Sequence, residues 1–196
     1  MEQVFKILVT GPFAAGKTSL IQSVSQTPVV ATDVLTSGDE AVVKAATTVA
    51  MDFGTYLLDA SEPDEDPVRL LLFGTPGQAR FQFMTDVMKG EVDVVAYVVD
   101  YEAVHTHREA GLGMRALLRD LRVPLVMAVN RCDDPTEATL LARSLGSLAH
   151  ETVVPCQLID PASGRQVVVE ALLSVLSAMD APGGRPVSPS VLVGLS

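Results

Sequence analysis

Six short apolar runs punctuate the chain, at residues 4–9, 48–58, 68–73, 92–99, 123–129 and 152–156. Between them the apolar positions change period. Leu20, Ile21 and Val24 make one helical stripe, Met114, Leu117, Leu118 and Leu121 a second, and Leu141, Leu145 and Leu148 a third. Val168, Leu172, Val175, Leu176 and Met179 mark a last helix. Alternation of strand and helix predicts an α/β fold with a six-stranded, mostly parallel sheet covered by helices on both faces. A short turn joins the runs 48–58 and 68–73, which predicts one antiparallel edge pair. No internal repeat interrupts the pattern. After Asp180 the composition shifts to Ala181-Pro182-Gly183-Gly184-Arg185-Pro186, which cannot continue a helix. The expected organisation is one domain over residues 1–180 and a flexible tail over 181–196.

The end of the first run carries the clearest chemistry. Gly11-Pro12-Phe13-Ala14-Ala15-Gly16-Lys17-Thr18 fits the phosphate-binding pattern G-x-x-x-x-G-K-[ST], directly after Val4–Val9 and before a helical stripe. In that context the loop amides, from Gly11, Ala14, Ala15 and Gly16 through Lys17, Thr18 and Ser19, point at a phosphate chain placed on a helix N-terminus. Gly11 and Gly16 permit backbone conformations closed to bulkier residues. Lys17 is a point charge suited to β and γ phosphates, and the Thr18 hydroxyl is a hard ligand suited to Mg²⁺. A P-loop NTPase fold with three layers is therefore expected, with a nucleoside triphosphate as ligand.

A base reader follows the fifth run. Asn130-Arg131-Cys132-Asp133 fits N-[KR]-x-D at the end of Val123–Val129. The Asp133 carboxylate accepts only, so it suits the N1–H and N2 amino donors of guanine, a pair that adenine lacks. Asn130 would brace the loop, and Arg131 could lay its guanidinium over the purine.

With these motifs the chain resembles the Ras-like small GTPases over residues 4–180. Leu70-Leu71-Leu72-Phe73-Gly74-Thr75-Pro76-Gly77-Gln78 is similar to the strand and switch II motif D-x-x-G-Q, and Thr47-Thr48-Val49-Ala50-Met51-Asp52-Phe53-Gly54 to the end of switch I. Within that family it looks like the bacterial GTPases of actinobacterial signalling cassettes, and more distantly like gliding-motility polarity GTPases. The resemblance implies that Thr48 ligates Mg²⁺ and senses the γ phosphate, that Gly77 offers its amide to it, and that Gln78 orients the attacking water. It implies a base contact from the backbone at Cys156-Gln157, where the family has Ser-Ala, so that the side-chain change would matter little. A roadblock-fold protein is the implied partner, beside an unknown effector.

Three departures bear on mechanism. Gly74 stands where the family has a metal-supporting Asp, and glycine cannot accept a bond from a Mg²⁺-bound water. Asp52 is the candidate substitute; the other reading is a solvated strand residue, and its position on the pleat decides between them. Phe13 occupies a P-loop position where the family often has glycine, so its ring either crowds the transferring phosphoryl group or packs away on the domain. No arginine lies between Thr27 and Thr48, where some relatives carry an intrinsic finger; Lys44 is the cation there. Arg80 is the nearest guanidinium on the switch II side, with a solvated role as its other reading.

Composition narrows the remaining classes. A net charge of −10 repels nucleic acid and anionic lipid, so neither is an expected partner. Asp59, Glu62, Asp64, Glu65 and Asp66 crowd one turn, read either as a solvated hairpin tip or as a docking surface for a basic partner. His105 and His107 read as surface residues. The sequence has no apolar run of about 18 residues, no secretory leader pattern and no prenylation cysteine. A cytoplasmic protein without a stable membrane anchor is expected. Cys132 and Cys156 read as reduced thiols, although both fall inside base-binding motifs, where oxidation would disturb the ligand.

The expected activity is that of a molecular switch binding GTP or GDP with Mg²⁺ and hydrolysing GTP slowly. Gly74 and Phe13 motivate an alternative, a guanine-nucleotide-binding scaffold without useful hydrolysis. A small-molecule kinase is the third reading, weakened by the base reader and by the lack of an arginine-rich lid.

Overall fold

The computed structural model describes residues 2–34, 49–58, 66–77, 88 and 90–180. Within the described residues seven strands form one sheet: β1 (Gln3–Thr10), β2 (Val30–Val34), β3 (Val49–Leu58), β4 (Val68–Gly74), β5 (Val94–Asp100), β6 (Leu125–Asn130) and β7 (Thr152–Cys156), in the spatial order β2-β3-β4-β1-β5-β6-β7. All six predicted strands are present. The seventh, β2, extends the edge by pairing Val30 with Phe53 and Val34 with Val49. Its sequence, Val30-Ala31-Thr32-Asp33-Val34, is short and half polar, and gives no apolar run to find. β3 alone runs against the others, antiparallel to both β2 and β4, so the predicted hairpin is there.

Among the described residues four α-helices cover the sheet: α1 (Lys17–Val24), α2 (His107–Leu118), α3 (Pro135–Leu145) and α4 (Pro161–Asp180). Leu20, Ile21 and Val24 of α1 and Val167, Val168, Ala171 and Val175 of α4 pack on one face with Ile7, Val9, Leu70 and Leu72. Gly164 lets the two helices meet, since a Cβ there would lie 2.3 Å from Ser23 Oγ. On the other face Ala110, Met114 and Leu117 of α2 and Ala138, Ala142 and Leu145 of α3 pack against Leu8, Val95, Met127 and Val129. Central strands β5 and β6 are buried at every residue, as strands covered on both faces must be.

Helix boundaries follow local signals. Asp134 caps α3 by accepting from the amides of Thr136 and Glu137 at 2.7 and 3.0 Å, with Pro135 next, and Gly146 ends it at φ 111. Leu121 and Leu148, read from periodicity as helical, fall beyond the ends of α2 and α3, and Leu148 is exposed. The expected tail, 181–196, lies outside the described residues, as does the acidic turn apart from Asp66. No helix among the described residues is long and apolar enough to cross a membrane.

Candidate functional site

Parallel strands end together, and the loops that leave β1, β4, β6 and β7 at their C-terminal ends carry Gly11–Gly16, Thr75–Gly77, Arg131–Asp133 and Gln157–Ile159. In open α/β sheets this is the edge where ligands bind. Antiparallel β3 brings its beginning, not its end, to the same edge: Asp52 pairs with Gly74 across the ladder.

The loop after β1 has the geometry the motif requires. Gly11 sits at φ 138, with the space of a Cβ taken by the Val98 carbonyl 2.1 Å away, and Gly16 at φ 110. Ala14 also adopts a left-handed conformation, at φ 59. Successive amides in such alternation form an anion-binding concavity, closed by the N-terminus of α1 at Lys17. Lys17 is buried and its Nζ donates to the carbonyls of Gly11 and Pro12 at 2.9 and 2.6 Å. Burial pulls its pKa down to about 8, against the opposing pull of Asp52 and Glu109.

Beside the lysine, Thr18 Oγ1 donates to Asp52 Oδ2 at 2.5 Å. Asp52, half-buried, is thus turned toward the start of α1. Gly74 opposite leaves room: a Cβ there would meet Ile21 Cδ1 at 2.6 Å and Asp52 Cβ at 3.1 Å. Phe13–Ser19, Asp52 and Gly74–Gly77 line a cleft of ≈ 370 Å³. Phe13 is 63% exposed, so its ring does not pack on the domain. Gly77 lies against the loop backbone, where a Cβ would meet Lys17 Nζ at 2.5 Å and Phe13 N at 2.7 Å. Thr75 anchors this approach, its amide donating to Val9 O at 3.0 Å and its hydroxyl to Thr10 Oγ1 at 2.9 Å.

The second half of the site is built around Asn130, which is buried. Its Nδ2 donates to Ala15 O at 3.0 Å and its Oδ1 accepts from the Leu158 amide at 3.0 Å, tying together the loops after β1, β6 and β7. Arg131, at φ 57, forms an ion pair with the buried carboxylate of Asp100. Sequence reasoning missed Asp100; its place at the end of an apolar strand level with Asn130 is the available signal. His107 turns its Nε2 to the Asp100 carbonyl at 2.8 Å, and the described residues contain no group of three acidic, His or Cys side chains fit to hold a metal.

The loop after β7 is held by hydrogen bonds of its own. The Gln157 amide is taken by Ser163 Oγ at 2.8 Å and the Leu158 amide by Asn130, while the Gln157 side chain donates from Nε2 to Asp133 Oδ1 at 3.1 Å. Both the backbone and the side chain of Gln157 thus have partners within the chain. Ile159, 89% exposed, follows it. Cys132 and Cys156 are both buried, and the Cys132 amide donates to Cys156 O at 3.5 Å. Of the residues expected in the site, Thr48 and Gln78 lie outside the described residues, as do Lys44 and Arg80.

Residues 29–145, more than half of the chain, match the family described as conserved hypothetical ATP binding protein. The chain belongs to that family. The match to this conserved hypothetical ATP binding family takes in Asp52, Gly74 and Asn130–Asp133, and leaves out the loop Gly11–Thr18. Among curated proteins, the chain is similar to the human Ras-related protein Rab-7L1, 30% identical over 138 residues that cover 67% of this chain and 61% of that protein. It is similar to GTP-binding protein RHO4 of Eremothecium gossypii, 28% identical over 160 residues, 74% of this chain and 55% of that one. The rat Rab-7L1 is 38% identical over a shorter stretch of 84 residues, 43% of this chain and 34% of that one. The chain thus spans about three fifths of the length of the first curated relatives it matches. This family member is a distant relative of the Ras-related and Rho proteins.

Proposed function

We propose that this chain is a guanine-nucleotide switch that hydrolyses GTP slowly to GDP and phosphate. The observation that carries the reading is the convergence, at one edge of the sheet, of the phosphate loop with Lys17, the Thr18–Asp52 pair and the Asn130–Asp133 loop. The family's description speaks of ATP, but Asp133 offers adenine N1 an acceptor against an acceptor, whereas guanine presents two donors.

Lys17 and the loop amides, including Ala14, Ala15 and Ser19, hold the β and γ phosphates, and stabilise the charge that develops between them. Asp133, Asn130 and Arg131 hold the base, with Cys156 and Gln157 beside it. Thr18 Oγ1 would ligate Mg²⁺, joined by Thr48, while Asp52 supplies the anionic group that Gly74 lacks. The hard oxygens of Thr18 and Asp52 suit that ion, which commonly takes one or two protein groups with waters and substrate phosphates. Bound there, it would neutralise phosphate charge. Gln78 orients the attacking water, and Gly77 offers its amide to the γ phosphate. With no arginine assigned to the transferring phosphate, turnover of about 10⁻⁴ to 10⁻² per second is expected, the range of GTPases acting without a supplied finger and with one in cis.

Switching follows from Thr48 and Gly77 being held by the γ phosphate and released with it. The bacterial type, a roadblock-fold partner, an effector that reads the switch segments and a cytoplasmic location belong to the same proposal, which assigns no nucleic acid and no stable membrane anchor. Gly74 and the exposed Phe13 motivate the second reading, a nucleotide-binding scaffold. Single-turnover release of phosphate from prebound γ-labelled GTP, with ATP in excess, tests both. Release that ATP does not inhibit and Gln78→Ala slows is expected; GTP retained intact by both proteins would establish the scaffold.

A further inference from the structure

We infer that Gln157 is a specificity-determining residue, holding the Asp133 carboxylate in the one orientation that reads guanine. The inference rests on the guanine reading above and adds a residue whose side chain sets its selectivity. Asp133 sits on an exposed loop, where a carboxylate turns freely between rotamers. Gln157 Nε2 donates to its Oδ1 at 3.1 Å, the one hydrogen bond shown for that carboxylate among the described residues.

The brace is itself braced. Gln157 is half-buried, with its backbone amide donating to Ser163 Oγ at 2.8 Å and its carbonyl accepting from the Asp160 amide at 2.8 Å. Asp160 in turn accepts from the amides of Ala162 and Ser163 at 3.2 Å each, at the start of α4. Orientation thus passes from a twenty-residue helix, through Gln157, to the base-reading carboxylate. A neutral amide suits the task because it donates to the carboxylate without neutralising it. Oδ1 keeps a second lone pair and Oδ2 both of its own, so the N1–H and N2–H donors of guanine still find acceptors.

Selectivity, rather than affinity as such, is the quantity that moves. A swivelling carboxylate still offers one oxygen to N1–H, but loses the simultaneous contact to the N2 amino group. Inosine lacks that amino group, so the ratio of GDP to IDP affinity isolates the contact. The phosphate half of the site is untouched by Gln157 and serves as internal control.

Equilibrium binding of GDP, IDP and ADP to the wild type, to Gln157→Ala and to Gln157→Glu tests the proposal. In Gln157→Ala the preference for GDP over IDP is expected to fall about tenfold to a hundredfold, the loss of one charge-assisted contact, with IDP affinity nearly unchanged. Gln157→Glu sets a like charge against Asp133, and a larger fall in GDP affinity is expected than in IDP or ADP affinity. A wild-type GDP/IDP ratio kept in both variants would overturn the role of Gln157 and leave the guanine reading standing. GDP bound no more tightly than ADP by the wild type would overturn both. Should either variant fail to fold, the Gln157 side-chain amide protons of the wild type are read by NMR: a hydrogen-bonded amide with GDP bound is expected, and a freely exchanging one overturns the proposal.

Discussion

Asp52 Oδ2 accepts a hydrogen bond from Thr18 Oγ1 at 2.5 Å, directly across the β3–β4 ladder from Gly74. An acidic group is thus present beside the threonine that would hold Mg²⁺, delivered from the neighbouring strand. Asp52→Asn keeps the shape and removes the charge. Titration of Mg²⁺ against nucleotide release is expected to show apparent affinity lower by about 10- to 100-fold. Wild-type Mg²⁺ dependence in the variant would remove Asp52 from the metal's surroundings. Restoring an acid with Gly74→Asp is expected to destabilise the fold instead, because its Cβ would press on Asp52 Cβ and on Ile21 Cδ1, and Ile21 is fully buried with no space to move into.

Gly77 bears on the loop through backbone, with Phe13 N and Cα at 2.7 and 2.6 Å from where a Cβ would stand. Backbone atoms yield less readily than side-chain tips. Gly77→Ala is expected to push this segment off the phosphate loop, at a cost of about 1–3 kcal/mol in denaturant unfolding. An unchanged midpoint would mean that the segment moves away freely.

A buried lysine with a lowered pKa costs stability in the empty protein. Lys17 is 7% exposed, and burial outweighs the favourable pull of Asp52 and Glu109. Lys17→Met is expected to abolish nucleotide-induced thermal protection while raising the melting temperature of the nucleotide-free protein by roughly 2–4 °C. Nucleotide protection equal to wild type would contradict the assigned role. The sign with pH follows: because the folded pKa, about 8, lies below the ordinary value of 10.5, the unfolded chain holds more protons between them. From this group alone, stability rises as pH increases from about 8 to 10.5.

Asn130 ties Ala15 O to the Leu158 amide. Asn130→Ala leaves two buried groups unpaired, at about 1–3 kcal/mol each. A melting temperature lower by roughly 5–15 °C is expected, even without nucleotide. A purely ligand-dependent defect would mean that Asn130 serves the base alone.

Both thiols are buried. Burial pushes Cys156 up to about 12 and also raises Cys132, leaving a thiolate fraction of roughly 10⁻⁴ for Cys156 at pH 8. Alkylation by iodoacetamide is expected to be slow in the native protein, with or without nucleotide, and rapid in urea. Fast native labelling that nucleotide blocks would support the reading that oxidation of these thiols disturbs the ligand.

How far the chain could be read without coordinates depended on where the information lies. Strands β1, β3, β4, β5, β6 and β7 are written in local apolar runs, and the phosphate loop in eight consecutive residues, because both arise from interactions between near neighbours in sequence. Short, half-polar β2 exists through its pairing with β3, and its own composition does not announce it. Helix ends at Leu118 and Leu145 were obscured because apolar stripes continue into Leu121 and Leu148, where packing rather than periodicity decides.

The sequence alone determined the α/β class, the phosphate loop and the Asn130–Asp133 motif, since each rests on residue types at fixed short spacing. Tertiary structure decided which face of β3 carries Asp52, that Arg131 pairs with Asp100, and that Gln157 holds Asp133. Those contacts join residues 34, 31 and 24 positions apart. Pleat direction and strand order bring them within hydrogen-bond reach, and neither is specified until the whole sheet has assembled.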